Sequence, residues 1–120
     1  MKSIQRANIA AIVISIKTKH EIKDVYSYEL SKYISMSGET NGNSIDAYDY
    51  SRSCYISGNS VSSNNYSLYD YGESAYIDLE IKGNNFEGYD YGTSSHFSGT
   101  ITGTSVSFYD YQTGQYYDFS

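Results

Sequence analysis

Four aspartates stand in the same surroundings, each between two tyrosines: Tyr48-Asp49-Tyr50, Tyr69-Asp70-Tyr71, Tyr89-Asp90-Tyr91 and Tyr109-Asp110-Tyr111. Carboxylates held close together can pass protons, as in glycoside hydrolysis, or can share a calcium ion. Identical copies argue against both. Catalysis needs groups in different roles at one place, and the Asp-x-Asp-x-Asp-Gly calcium loop is absent. The sequence therefore assigns these aspartates to the rim of a sheet, with carboxylates in water or capping turn amides. No cofactor and no metal follows from them.

The remaining reactive side chains are few. His20 and His96 have no partner histidine at metal-ligand spacing. Cys54 is the only cysteine, which excludes an intrachain disulfide and a cysteine-based zinc cluster. No Gly-x-Ser-x-Gly elbow, phosphate loop or dinucleotide fingerprint is present. The chain reads as non-enzymatic, and a site inside a barrel mouth is the minor enzymatic alternative.

Tyrosine is what remains. There are 16 in 120 residues, with no tryptophan and no proline. An aromatic ring with a polar tip contacts sugars or proteins at low entropic cost. The candidate binding residues are Tyr48, Tyr50, Tyr55, Tyr69, Tyr71, Tyr76, Tyr89, Tyr91, Tyr109 and Tyr111. The competing reading is structural, because tyrosines suit strands and pack in cross-strand pairs.

The elements that must hold these rings follow from the spacing. Successive motifs lie 21, 20 and 20 residues apart, and a weaker copy, Tyr26-Ser27-Tyr28, lies 22 residues before the first. A period near 20 residues marks one small unit copied along the chain. Each unit contains two strand-like runs and two turns. One turn follows Tyr-Asp-Tyr. The other is assigned to Gly-Asn or a relative: Gly38-Glu39 extending to Gly42-Asn43, then Gly58-Asn59, Gly83-Asn84 and Gly103-Thr104.

Alternation separates two faces. One carries Ile45/Ala47, Tyr66/Leu68, Phe86/Gly88 and Val106/Phe108, continued by Ile34/Met36, Ile56, Ile77/Leu79/Ile81, Phe97/Ile101 and Phe119, and ends at the four aspartates. The other carries the tyrosines, with His96 where other units have Tyr55, Tyr76 or Tyr116. The expected fold is all-β: an antiparallel up-and-down meander of about ten short strands, rolled into a barrel or strongly curved sheet. A β-solenoid of about 20 residues per coil is the alternative, disfavoured because it would stack the aspartates at strand spacing.

The chain is one domain with two compositions. Residues 1–32 hold six of the eight basic residues against three acids; residues 33–120, the Tyr-Asp-Tyr units, hold two against eleven. An acidic body repels phosphate, so nucleic acid is not an expected partner. The expected partners are a carbohydrate, a protein or a second copy of this chain. Ile9–Ile16 contains five isoleucine or valine residues in eight, so Ile9–Lys17 is expected as a buried strand, with no helix longer than about two turns. That run is too short to span a bilayer. It follows Lys2 and Arg6 as a leader's apolar region would, but it is short and no Ala-x-Ala-like site follows, so a strand is preferred to a signal peptide and a cytoplasmic location is the default expectation.

Overall fold

The computed structural model describes all of residues 1–120. The chain opens with one helix, α1 (Ser3–Thr18), and continues through eleven strands. These are β1 (Val25–Ser27), β2 (Lys32–Ile34), β3 (Met36–Asn41), β4 (Ser44–Asp49), β5 (Cys54–Ser62), β6 (Asn65–Asp70), β7 (Ala75–Lys82), β8 (Asn85–Asp90), β9 (Ser95–Thr102), β10 (Ser105–Asp110) and β11 (Gln115–Phe119).

From β3 to β11 every strand pairs antiparallel with the next, as a meander. The small β1–β2 hairpin then joins the far side, where β1 pairs with β11 at Ser27–Phe119. Reciprocal backbone bonds between Tyr26 and Ser120, 2.7 and 3.1 Å, extend this pairing. The sheet thus rolls into a nearly closed barrel. Its seam lies between β2 and β3, which are consecutive in the chain but not paired. The approach to β1 lies against the β3 side of the seam: the Ile22 amide donates to Gly38 O (2.9 Å), and Asp24 accepts from the Met36 amide (3.0 Å). The ladder order excludes a solenoid.

The two faces fall where alternation places them. Ile34, Ile45, Ala47, Ile56, Leu68, Ile77, Leu79, Phe86, Phe97, Phe108 and Phe119 are all buried inside. Phe97 and Phe108 stack at 5.1 Å, with Phe86 against both. Fourteen of the sixteen tyrosines point outward; Tyr117 is buried inside and Tyr66 packs against the core.

Residues 9–17 depart from the expected strand. They belong to α1, whose residues Gln5–Val13 are almost entirely withdrawn from solvent. A helix buried on all sides lies in a core rather than on it; α1 fills the barrel. The physical reason is backbone satisfaction. A lone strand inside a closed sheet would have no ladder partner for its amides and carbonyls, whereas a helix pairs its own. The propensity cost of five β-branched residues is a few tenths of a kcal/mol each, small beside that. The helix ends at Lys19, in the left-handed conformation (φ 59°), whose amide donates to Ser15 O. The basic N-terminal region is therefore a helix and a hairpin, not a set of strands.

The turns sort by end of the barrel. At the motif end each hairpin loop has four residues, and the last is left-handed: Ser31, Ser53, Ser74, Ser94 and Gly114. At the opposite end the loops have two residues: Gly42-Asn43, Ser63-Asn64, Gly83-Asn84 and Gly103-Thr104. One expected turn is thus misplaced. Gly58-Asn59 lies inside β5 and Gly38-Glu39 inside β3, while Ser63-Asn64 makes the turn, with Asn64 at φ 66°. Gly58 serves a different purpose. A Cβ there would lie 1.9 Å from Ser67 O on the neighbouring strand, so only glycine lets the sheet bend this tightly. Gly99 does the same against Ser107 O (2.3 Å) and the Phe86 ring.

Candidate functional site: an outer aromatic belt

The four aspartates face inward. Asp49, Asp70, Asp90 and Asp110 are at most 2 % exposed, which corrects their assignment to water. Their turn-capping role is present in all four: Oδ1 accepts from the amide two residues on, Ser51, Gly72, Gly92 and Gln112, at 2.9–3.0 Å. The weak copy behaves alike, Ser27 Oγ accepting from the Leu30 amide.

The second carboxylate oxygens of Asp49, Asp70 and Asp110 meet the N-terminal end of α1 or one loop arginine. Arg52 donates through Nε to Asp49 Oδ2 (2.8 Å), and through Nη1 and Nη2 to both oxygens of Asp70 (3.2 and 3.1 Å). Its Nη2 also donates to Asn8 Oδ1 of the helix (2.7 Å). Burial works against the Arg52 charge, but the hydrogen bonds and charge of Asp49 and Asp70 outweigh it and hold its pKa above the usual value. Gln5 donates to Asp70 Oδ2 (2.9 Å). Arg6 donates to Asp110 Oδ2 (3.1 Å) and to Glu29, and its guanidinium lies 3.7 Å over the Tyr117 ring. Thr93 serves Asp90 Oδ2 at 2.9 Å. The aspartates thus fasten the helix and the turns to the barrel. Cys54 lies beside this network, and burial, followed by the charges of Asp70 and Asp49 against the opposing pull of Arg52, raises its thiol pKa.

The tyrosines form the outer surface at the same end. Fourteen tyrosines and His96 fall into five sets of three, one per motif hairpin. In each set the first motif tyrosine is half-buried at the centre, and its ring meets two others, edge-on except for the tilted Tyr109–Tyr116 pair. Tyr48 touches Tyr50 (4.9 Å) and Tyr55 (4.8 Å). Tyr69 touches Tyr71 and Tyr76 (both 4.8 Å). Tyr89 touches Tyr91 (4.9 Å) and His96 (4.8 Å). Tyr109 touches Tyr111 (4.8 Å) and Tyr116 (4.7 Å). Tyr26, with Tyr28 and Tyr33 at 5.0 Å, completes the series. Edge-to-face pairs at these distances are the favourable aromatic geometry. The flanking rings, among them Tyr50, Tyr55, Tyr71, Tyr76, Tyr91 and Tyr111, remain more than half exposed.

The structure therefore brings all ten sequence-nominated tyrosines onto one surface. It adds the set built on Tyr26, whose spacing had marked it as a degenerate copy. It also adds a groove that the tyrosine pattern alone did not reveal. The groove, about 720 Å³, runs down the outer wall of β7–β9. The hairpin tip Val61–Tyr66 forms one side; Asp78, Glu80, Glu87, Tyr89, His96 and Tyr111 line the rest. Asp78 accepts from Tyr91 OH (2.8 Å), which raises the Tyr91 pKa. Glu80 and Glu87 are direct cross-strand partners, a pair of facing acids that could suggest acid–base work. Lys82 lies 3.4 Å from Glu80 and 2.9 Å from Glu87, which lowers the Glu87 pKa and offsets one of their two charges. The signal available in the sequence was Asp78, which stands where other units carry Ser37, Ser57 and Ser98.

No helix is long and apolar enough to cross a membrane. No protein-family model matches this chain, and no curated protein and no solved structure is significantly similar to it.

Proposed function

We propose that this protein is a non-enzymatic binding module that contacts an extended polymer or protein through its aromatic belt. The observation that carries the reading is the fivefold recurrence of edge-packed aromatic sets on the outer surface, each with its flanking rings open to solvent. Rings already held by their neighbours lose little freedom on contact, so binding costs less. Recurring contacts along a curved wall fit a long partner better than a compact metabolite, which prefers a deep pocket. The interior supports the same reading, because the side chains with reactive potential there are committed to holding the helix.

The test is the double variant Tyr69→Ser/Tyr89→Ser, assayed against arrays of oligosaccharides and peptides. Each lost cross-strand pair costs about 0.2–1 kcal/mol, so the fold survives while binding is lost. Retained binding in a folded variant refutes the reading, and so does outright unfolding, which would make the tyrosines part of the core. Sedimentation at several concentrations separates a foreign partner from a second copy of this chain, since only self-association raises the mass.

A further inference from the structure

The recurring hairpins provide an internal reference, and one place breaks it repeatedly. Opposite the first motif tyrosine, three units carry serine: Ser37 against Tyr48, Ser57 against Tyr69 and Ser98 against Tyr109. Against Tyr89 stands Asp78. Where other units have Tyr33, Tyr55, Tyr76 or Tyr116, this one has His96. The backbone changes too. Gly38, Gly58 and Gly99 on the odd-numbered strands each face a residue with a side chain, but in this unit the glycine has moved to the even strand, where Gly88 faces Leu79. These departures converge on the groove over β7–β9. Uniform copies need no such coordinated changes for stability.

From these we infer that the groove seats the ammonium or guanidinium side chains of an extended basic peptide segment. The inference rests on the belt reading and names its partner. Charge complementarity favours this occupant. Asp78, Glu80 and Glu87 present three carboxylates against one cation, Lys82, on a chain of net charge −6. Tyr89, His96 and Tyr111 stand above them, His96 lying between the other two rings at 4.8 and 6.5 Å. Aromatic faces beside carboxylates attract alkylammonium and guanidinium groups by cation–π contact as well as by charge. A volume of about 720 Å³ takes one or two long side chains and not a folded domain. Because the groove opens among belt tyrosines, a strand of peptide lying along the belt can drop its side chains into it.

The probe is deca-lysine, titrated calorimetrically into the full chain at low and high salt, with a neutral hexasaccharide in parallel. The controlled pair of variants is Asp78→Ser, which restores the residue of the other units, and Asp118→Ser, which removes an equal charge from the exposed face of β11. Asp78→Ser should weaken deca-lysine about fivefold and Asp118→Ser less than twofold, with binding to the native chain falling as salt rises. Ring signals of His96 and Tyr111 should shift on titration. Equal weakening by both variants overturns the inference, since overall charge would then explain the binding. Hexasaccharide binding that depends on Tyr69 and Tyr89, with no deca-lysine binding, overturns the cationic occupant and leaves the belt reading standing. Deca-lysine binding that Asp78→Ser weakens but Tyr48→Ser/Tyr69→Ser, in belt sets outside the groove, does not weaken supports the groove and removes the belt.

Discussion

Replacing Arg52 with methionine tests whether the aspartate network holds this barrel together. The stem is kept and only the fork is lost. Five hydrogen bonds disappear, two of them to Asp70 and one each to Asp49, Asn8 and Glu73. The consequences are unequal. Asp70 Oδ2 keeps Gln5 and Asp70 Oδ1 keeps the Gly72 amide. Asp49 Oδ1 keeps the Ser51 amide, but its Oδ2 is left buried with no donor. Removing one partner of a buried ion pair costs about 3–5 kcal/mol. The surviving donors to Asp70 place this case at the lower end, about 3 kcal/mol. For a chain of this size that corresponds to a melting temperature lower by roughly 12 °C. The assay is urea unfolding followed by circular dichroism, with the slope checked for constancy. Asp70→Asn, alone and combined with Arg52→Met, completes a double-mutant cycle, and the coupling should exceed about 1 kcal/mol. A loss under about 1 kcal/mol with no coupling would refute the argument, because the carboxylates would then be reaching water.

Two further outcomes follow from burial and from the groove. Leu79→Ala, at a position 1 % exposed, should cost about 2–5 kcal/mol, whereas Tyr76→Ala, at 57 %, should cost about 0.2–1 kcal/mol; equal urea midpoints would reverse the assignment of inside and outside. Tyr91 has its pKa raised first by the hydrogen bond to Asp78, so the stability it contributes is present below the unfolded tyrosine value of about 10 and is lost as pH rises through the folded value. Asp78→Asn should therefore move the Tyr91 ring titration, followed by NMR, to lower pH, and an unmoved titration contradicts the contact.

Most of the barrel was legible because its strands report their faces residue by residue. Ile77, Leu79 and Ile81 inside and Tyr76 outside follow directly from alternation, and so does the outward placement of all ten nominated tyrosines. The helix was not legible for a definite reason. A continuous apolar run such as Ile9–Ile16 has no period to read, and its β-branched content points the wrong way. What overrides it is the demand of a barrel lumen for a self-paired backbone, which is a property of the other hundred residues. The aspartates contained a usable signal. Alternation put them on the aliphatic face, and a carboxylate on that face requires donors. The polar residues Gln5, Arg6 and Asn8, clustered just ahead of the apolar run, are those donors or their partners. The groove stayed hidden because it depends on how the Val61–Tyr66 tip curls, not on any motif.

Sealing the barrel at Ser27–Phe119 also constrains the order in which the chain can acquire structure. These partners are 92 residues apart, and Arg6 and Asp110 are 104 apart. The entropy of closing such loops is lost before their contacts return anything, which slows folding. During synthesis α1 is made before its jacket. Its isoleucines and its arginine must wait, exposed, until β11 arrives. The hairpins between them can form early from neighbours alone. The molecule is therefore expected to assemble as an open curved sheet that wraps its own beginning in a final, slow step.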